Sequence, residues 1–457
     1  MLDFIFFIEY DKMFFKQNKE NKMKKYQKFL AAFLAVCAFS SSAKAGGYQL
    51  NDYSVTGLGR AYAGAGIVGD DYSAIAFNPA GMTLAKKSGF QTGLTMVNLK
   101  ADVDSVDARA PGAHKKMDFW TPIPQFFGQY NVNDKFSVGL GIYAPFGLKT
   151  QYDADWFGKN TAILSKLDVI DTNVAMAYKI NKKWSVGAGL VARYIYGHMT
   201  NDLSVGGHSD FELDGWTKTG LLGVMYEPTE NTRFGFSWRL RSTQQVKGDH
   251  KVSGTSGTVI GALTGMPIPE NYFNETATGW ASPALPETFT LAAYHKYKNV
   301  GLSGTIRWTH WSQSFPEFSM ISDSRLFGAL SASPLGAASG VANRQKTSVY
   351  NYDNTWTITA GLDWYYNENW TFRCGTGWDE SPTHNNISRT IRIPDNDRFW
   401  TSVGASYITE NWQIDVAYAR MFGRSGIALE TSDPSAMHVK YKKLRSNLVG
   451  LQVQYKF

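Results

Sequence analysis

Apolar residues recur at every second position along most of this chain. Phe136, Val138, Leu140, Ile142 and Ala144 alternate with Ser137, Gly139, Gly141 and Tyr143. Trp184, Val186, Ala188, Leu190, Ala192 and Tyr194 repeat the pattern, as do Trp356, Ile358, Ala360, Leu362, Trp364 and Tyr366. A period of two is that of a strand with two unlike faces. One face is apolar here and the other mixes polar, charged and small groups. Aromatic residues bound the runs, as they do at the edges of a membrane barrel. About fourteen strands are predicted, near 88–101, 121–131, 135–148, 170–181, 183–199, 213–227, 231–248, 286–297, 299–312, 352–366, 370–380, 397–408, 411–423 and 445–457. Asn181-Lys182-Lys183 and Asn367-Glu368-Asn369 are short connections, whereas 249–285 and 313–351 are long ones. The fold class expected is all-β: a transmembrane antiparallel barrel over 88–457, closed because lipid offers no partner to an unpaired backbone group.

Two stretches depart from the alternation. Pro145 interrupts the third strand within Tyr143-Ala144-Pro145-Phe146-Gly147. Proline has no N–H for a neighbouring strand, so the run reads either as a strand ending in a loop or as a bulge that leaves a gap. Residues 46–87 are small, glycine-rich and moderately apolar without a strand period, which suits a plug, or hatch, inside the barrel better than a lipid-facing element. Within it, Asn78-Pro79-Ala80-Gly81 reads as a tight turn. Gly57-Leu58-Gly59 has no preceding strand that would make it a nucleotide loop.

Composition agrees. Only 19% of residues are charged, 14% are aromatic and 43 are glycine. Lys24, Lys25 and Lys28, the apolar run 29–39 and Ala43-Lys44-Ala45 follow the order of a secretory signal peptide over 1–45, with Met23 the better start. Its removal would take away eight Lys/Arg and four Asp/Glu, lowering the net charge from +7 to +3. No basic patch then argues for nucleic acid. Cys374 would be the one mature cysteine, excluding an internal disulfide. The eight histidines show no catalytic spacing, and no catalytic residue, metal ligand or cofactor is expected.

The stretch "GYQLND…GLGRAYAG…DD…NPAG" resembles the N-terminal hatch of the FadL-type family of long-chain fatty-acid and hydrocarbon transporters. "YAPFGLKTQYD", "MYEPTENTRFGFSWR", "LPETFTLAAY", "WTHWS", "DNTWTITAGLDWYYNENWTFRCG" and "IPDNDRFWTSVGASY" extend the likeness in the family's order.

The resemblance implies a fourteen-stranded barrel in the outer membrane of a Gram-negative bacterium, expected as a monomer; no ATP or energy-coupling motif is apparent in the sequence, which favours passive transport. Its cargo would be a hydrophobic small molecule, and its other partner the outer-membrane lipid. It implies a lateral opening at Pro145, Phe146 and Gly147, gated by hatch residues Gly46, Tyr48, Asn78, Pro79 and Ala80. Val259, Leu263, Phe315, Phe318 and Phe327, with Ile260, Met266, Met320 and Leu326, are candidate loop residues for capture, although loop self-packing explains them equally. The terminal Phe457, closing "LVGLQVQYKF", resembles the signal read by the barrel-assembly machinery.

The positions matching the family's basic pocket fall near Asn201 and Asp353, neither of them cationic. Arg193, Arg239, Arg241 and Arg373, expected on the inner face, are possible substitutes. Neutral aromatic hydrocarbons would need no cation. A general porin or a barrel-anchored adhesin are the alternatives from other classes.

Overall fold

The computed structural model describes residues 47–203, 206–332, 341–383, 385–429 and 436–457. The signal-peptide reading, Gly46 and His384 lie outside the described residues. Fourteen antiparallel strands close a ring. They are β1 Gly89–Ser105, β2 His114–Asn131, β3 Phe136–Gln151, β4 Leu164–Lys179, β5 Trp184–Asp202, β6 His208–Thr229 and β7 Thr232–Arg239. The ring continues through β8 Thr288–Tyr297, β9 Val300–Thr309, β10 Thr355–Tyr365, β11 Trp370–Asp379, β12 Arg398–Ile408, β13 Trp412–Gly423 and β14 Val439–Lys456. Pairing of β14 back to β1, with Phe90 opposite Tyr455 and Leu94 opposite Leu451, completes it.

The alternation sorts side chains as lipid requires. On β5, Trp184 and Leu190 are exposed while Ser185, Val191 and Arg193 are buried. The short turns have a local cause. In three of them an asparagine side chain (Asn133, Asn181, Asn367) accepts the backbone N–H groups two and three residues on, which fixes a tight reversal. Phe457 is exposed, and its N–H donates to the Ser88 carbonyl.

Two expectations need correction. The predicted strand 231–248 is broken: β7 stops at Arg239, Ser242–Thr243 pairs separately with Ala284–Leu285, and Val246–Ser253 begins a new strand that pairs with the outer end of β6. The long connections are not irregular loops. Val246–Ser253, Glu275–Ala281, Glu317–Ser322 and Gln345–Val349 pair in succession and extend the sheet beyond β6, and helices Gly257–Thr264 and Arg325–Ser331 lie between them. The alternation inside those segments is too short to be separated from loop composition by sequence.

Residues 47–87 pack against inward-facing groups around the ring. Helix Val55–Gly59 lies against β12, β13 and β14, and the 3-10 turn Pro79–Leu84 lies against β4, β5 and β6. Buried ions tie the segment to the wall. Arg60 pairs with Asp70 at 2.6 Å and with Asp363 of β10 at 2.8 Å, while Arg373 of β11 pairs with Asp363 at 2.9 Å and Asp70 at 3.1 Å.

Candidate functional site

The third strand is bulged where its proline falls. Tyr143 sits opposite Asp171 and Phe146 opposite Val169 on β4, so Ala144 and Pro145 together face the single residue Ile170. The extra residue reverses the alternation: Ser137, Gly141 and Tyr143 point inward before it, Phe146 and Thr150 after it. The bulge coincides with a seam. β2 and β3 pair only from Phe126–Ile142 to Asn131–Ser137, although β2 keeps β1 as far as His114 and β3 keeps β4 as far as Gln151. Above Phe126 the ring is therefore not laced by a β2–β3 ladder.

The seam has a second contributor that sequence reading passed over. Pro122 and Pro124 lie on β2 in Thr121-Pro122-Ile123-Pro124, in the part that has lost its β3 partner. Proline belongs on strand edges, so "TPIP" was the available signal.

The N-terminal segment fills the inner side of this edge. Gln49 bridges to Phe146, the Leu50 N–H donates to the Pro145 carbonyl at 2.9 Å, and the Gly147 N–H donates to the Tyr48 carbonyl at 2.9 Å. A strip of three residues thus serves β3 as a substitute strand. Gly147 makes room for it, since a Cβ there would meet Leu50 Cδ1 at 2.9 Å. Tyr48 is buried with its ring 4.8 Å from Trp311, 5.5 Å from Phe315 and 6.1 Å from Phe146.

A cavity of about 590 Å³ begins at this strip. Its lining runs from Tyr48 and Leu50 past Tyr143 and Phe146 to Trp120 and Ile142. The last two are 51% and 41% exposed on the outer wall. One continuous, mostly apolar space therefore joins the N-terminal strip to the lipid-facing surface at the seam.

Asn78, Pro79 and Ala80 are not in this cavity. They seat the segment on β5, β6 and β7: Asn78 Nδ2 donates to the carbonyls of Val224 and Phe236, and Asn78 Oδ1 accepts the Ala80 N–H. Phe315 and Phe318 stack within the aromatic cluster above Tyr48, and Phe327 packs on Phe211 and His250. Val259 is exposed on helix Gly257–Thr264. Leu263 belongs to that helix, and its side chain lies outside the described ones.

The inner arginines are largely committed. Arg193 and Arg239 share Asp171, at 2.7 and 3.0 Å, and Arg373 is held by Asp363 and Asp70. Arg241 does not face inward: β7 has ended and the residue is exposed. Asn201 accepts a hydrogen bond at 2.9 Å from Arg392, a cation brought from the connection between β11 and β12.

At the strip's other end, the Gly47 N–H donates to Asp395 at 2.9 Å. Burial pushes the Asp395 carboxyl up to about 6, against the pull of Arg398 and of hydrogen bonds from Ser381 and Gly47. A carboxyl raised in the fold binds its proton before an unfolded one does. Its stabilising contribution is thus present at low pH and lost as pH rises through about 6. Asp395→Asn is expected to flatten the fall in denaturation midpoint between roughly pH 4 and pH 6, a contribution of order 3 kcal/mol.

A closed outer-membrane barrel with an internal segment and an apolar cavity leading to its lipid face defines the class of protein. The family model described as outer membrane protein transport protein (OMPP1/FadL/TodX) matches residues 36–457. The "47 kDa outer membrane protein" of Pasteurella multocida is 30% identical over 463 residues, covering 94% of this chain and 98% of that protein. The "Long-chain fatty acid transport protein" of Escherichia coli K12 is 28% identical over 435 residues, covering 86% and 92%. The crystal structure of a Pseudomonas aeruginosa FadL homologue superposes with a TM-score of 0.78 at 22% identity, covering 90% of this chain and 100% of that one. The chain belongs to the OMPP1/FadL/TodX family of outer-membrane transport proteins.

Proposed function

We propose that this protein carries hydrophobic compounds, long-chain fatty acids foremost, passively from the outer face into the membrane through the β2–β3 seam. The observation that carries the reading is the cavity continuous from Tyr48 and Leu50 to the exposed Trp120 and Ile142. Its size falls within the range of small-molecule sites, about 300–1,000 Å³. The family's transport role and the names of its fatty-acid-transporting relatives support the same reading.

Cargo enters among the apolar residues of the outer connections and reaches the aromatic cluster of Tyr48, Trp311 and Phe315. The segment 46–87 acts as a hatch. When its strip 48–50 leaves the edge of β3, the cluster and the lateral cavity become one path. An apolar molecule then moves sideways into lipid without crossing water. Phe457 serves as the assembly signal at the end of β14.

The test is uptake of labelled oleate by cells that lack their own outer-membrane fatty-acid transporter and display this protein at a verified surface level. Uptake is expected at least tenfold above the empty-vector control. Background uptake from a folded, surface-displayed barrel would reject oleate as cargo.

A further inference from the structure

The lipid-facing wall of β13, β14, β1 and β2 changes character along its height. At the end with the short turns, Phe90, Tyr455 and Trp412 form an aromatic rim, the Tyr455 ring lying 5.8 Å from Phe90 and 4.7 Å from Trp412. Above it the exposed groups are apolar: Leu94, Val416, Val449 and Leu451. Asn98 and Asn447 then stand opposite each other, and from there the wall becomes cationic. Lys100 faces Arg445 directly across the β1–β14 ladder, and Arg420 lies opposite Asn447 on β13. Lys442 and Lys116 flank Asp102 on the next row, with Lys440 beyond them. Lys100 lies ten residues along β1 from Phe90. At about 3.3 Å per residue and a tilt of about 40°, that is a rise of about 25 Å, the height of the apolar band of such barrels. The cations therefore begin at the headgroup level of the outer leaflet.

The chain does not neutralise them. Lys100 pairs with Asp118 at 2.6 Å, Lys443 with Asp102 at 3.1 Å, and Lys442 with Asp104. Arg445, Arg420, Lys440 and Lys116 make no ion pair among the described residues. Like charges directly opposite each other on neighbouring strands destabilise a sheet, and Lys100 and Arg445 are such a pair. A bulge in β14 also brings Lys442 and Lys443 to the surface in succession, Lys443 taking a left-handed φ of 51°. A non-glycine residue adopts that conformation at a cost. The far wall does not repeat the pattern: beyond the exposed Trp216, the outward residues of β6 are Asp214 and Glu212. The cations make one face and not a collar.

An apolar wall topped by unneutralised cations suits an amphiphile with acyl chains below and phosphates above. Guanidinium groups match phosphate oxygens two at a time. We propose that this face binds one molecule of the phosphorylated glycolipid of the outer leaflet, lipopolysaccharide, through its lipid A. Arg445, Lys100 and Arg420 take a phosphate, the acyl chains lie along Leu94, Val449 and Leu451, and Lys440, Lys442 and Lys443 meet anions further out on the saccharide. Lys116 and Trp120 belong to the part of β2 that lacks a β3 partner, so the bound glycolipid flanks the seam. The site is independent of which cargo the protein carries.

The experiment titrates delipidated protein in detergent with bisphosphorylated lipid A and counts bound lipid by native mass spectrometry. Heat-modifiable migration on gels verifies that each variant is folded. Wild type is expected to hold one lipid A per barrel, and the double variant Arg445→Ala, Lys100→Ala to bind it about tenfold more weakly. Arg445→Gln, a milder change, should weaken it in the same direction. The double variant Lys182→Ala, Lys183→Ala, in an exposed turn at the opposite end, should bind as wild type does. Wild type should bind dephosphorylated lipid A and phosphatidylglycerol about tenfold less tightly, and excess inorganic phosphate should not displace lipid A. Equal affinity for the dephosphorylated lipid or for phosphatidylglycerol overturns the proposal. Equal losses in the two double variants, or displacement by inorganic phosphate, overturn it as well.

Discussion

Tethering the strip to β3 is expected to reduce oleate uptake to background, a loss of at least tenfold that reduction reverses. Gln49 and Phe146 are the positions to join. The bonds Leu50 N–H to Pro145 and Gly147 N–H to Tyr48 flank them, which makes them a non-hydrogen-bonded antiparallel pair. Such pairs have Cα atoms about 4.5 Å apart, inside the range a disulfide spans. Cysteines at both positions should therefore bridge on oxidation with little backbone movement. The described native cysteine, Cys374, is buried on β11 and does not compete. The measurement is uptake before oxidation, after it and after added reductant, with each single-cysteine variant as a control. Wild-type uptake by the oxidised double variant would show that cargo passes without the strip leaving the edge.

Asp171→Ala is expected to destabilise the barrel by roughly 3–5 kcal/mol, the usual result of removing one partner from a buried ion pair. Asp171 is fully buried on β4 opposite Tyr143, at the base of the bulge. It accepts from Arg193 Nε at 2.7 Å and Nη2 at 2.9 Å and from Arg239 Nη1 at 3.0 Å. Arg239 in turn donates to the Ala76 carbonyl at 2.8 Å and reaches the Tyr143 hydroxyl at 3.3 Å. One carboxylate thus ties β3, β5, β7 and the N-terminal segment together beside the bulge. Its loss would leave two guanidinium groups buried with nothing to balance them. Denaturant unfolding of the purified protein measures the effect. A shift below about 1 kcal/mol would mean that water or another carboxylate replaces Asp171.

The two edges of the seam were unequally visible before the fold was known. Pro145 announced a break in β3 because proline lacks a donor in any context. Pro122 and Pro124 carried the same message on β2, yet only the observed register, with β2–β3 pairing confined to Phe126–Asn131, turns three prolines into one seam. Arg241 was misplaced because alternation was extended past Arg239, where β7 actually ends. Lys100 and Arg445 stood on their strands as separate cations, and only the β1–β14 register set them side by side.

The sequence alone determined the barrel. Alternation at period two, aromatic boundaries and asparagine-capped turns are local properties, set by backbone geometry and by lipid on one face. The reading of 46–87 as a hatch rested on a stretch too irregular to face lipid. Only the tertiary structure decided which edge stays unpaired, which strip of the N-terminus covers it, and which buried ions pair. These features depend on partners far apart along the chain, Arg60 and Asp363 being separated by 303 residues. Ion pairing and edge pairing inside a barrel are settled by which groups meet across the lumen, and no local pattern encodes that meeting.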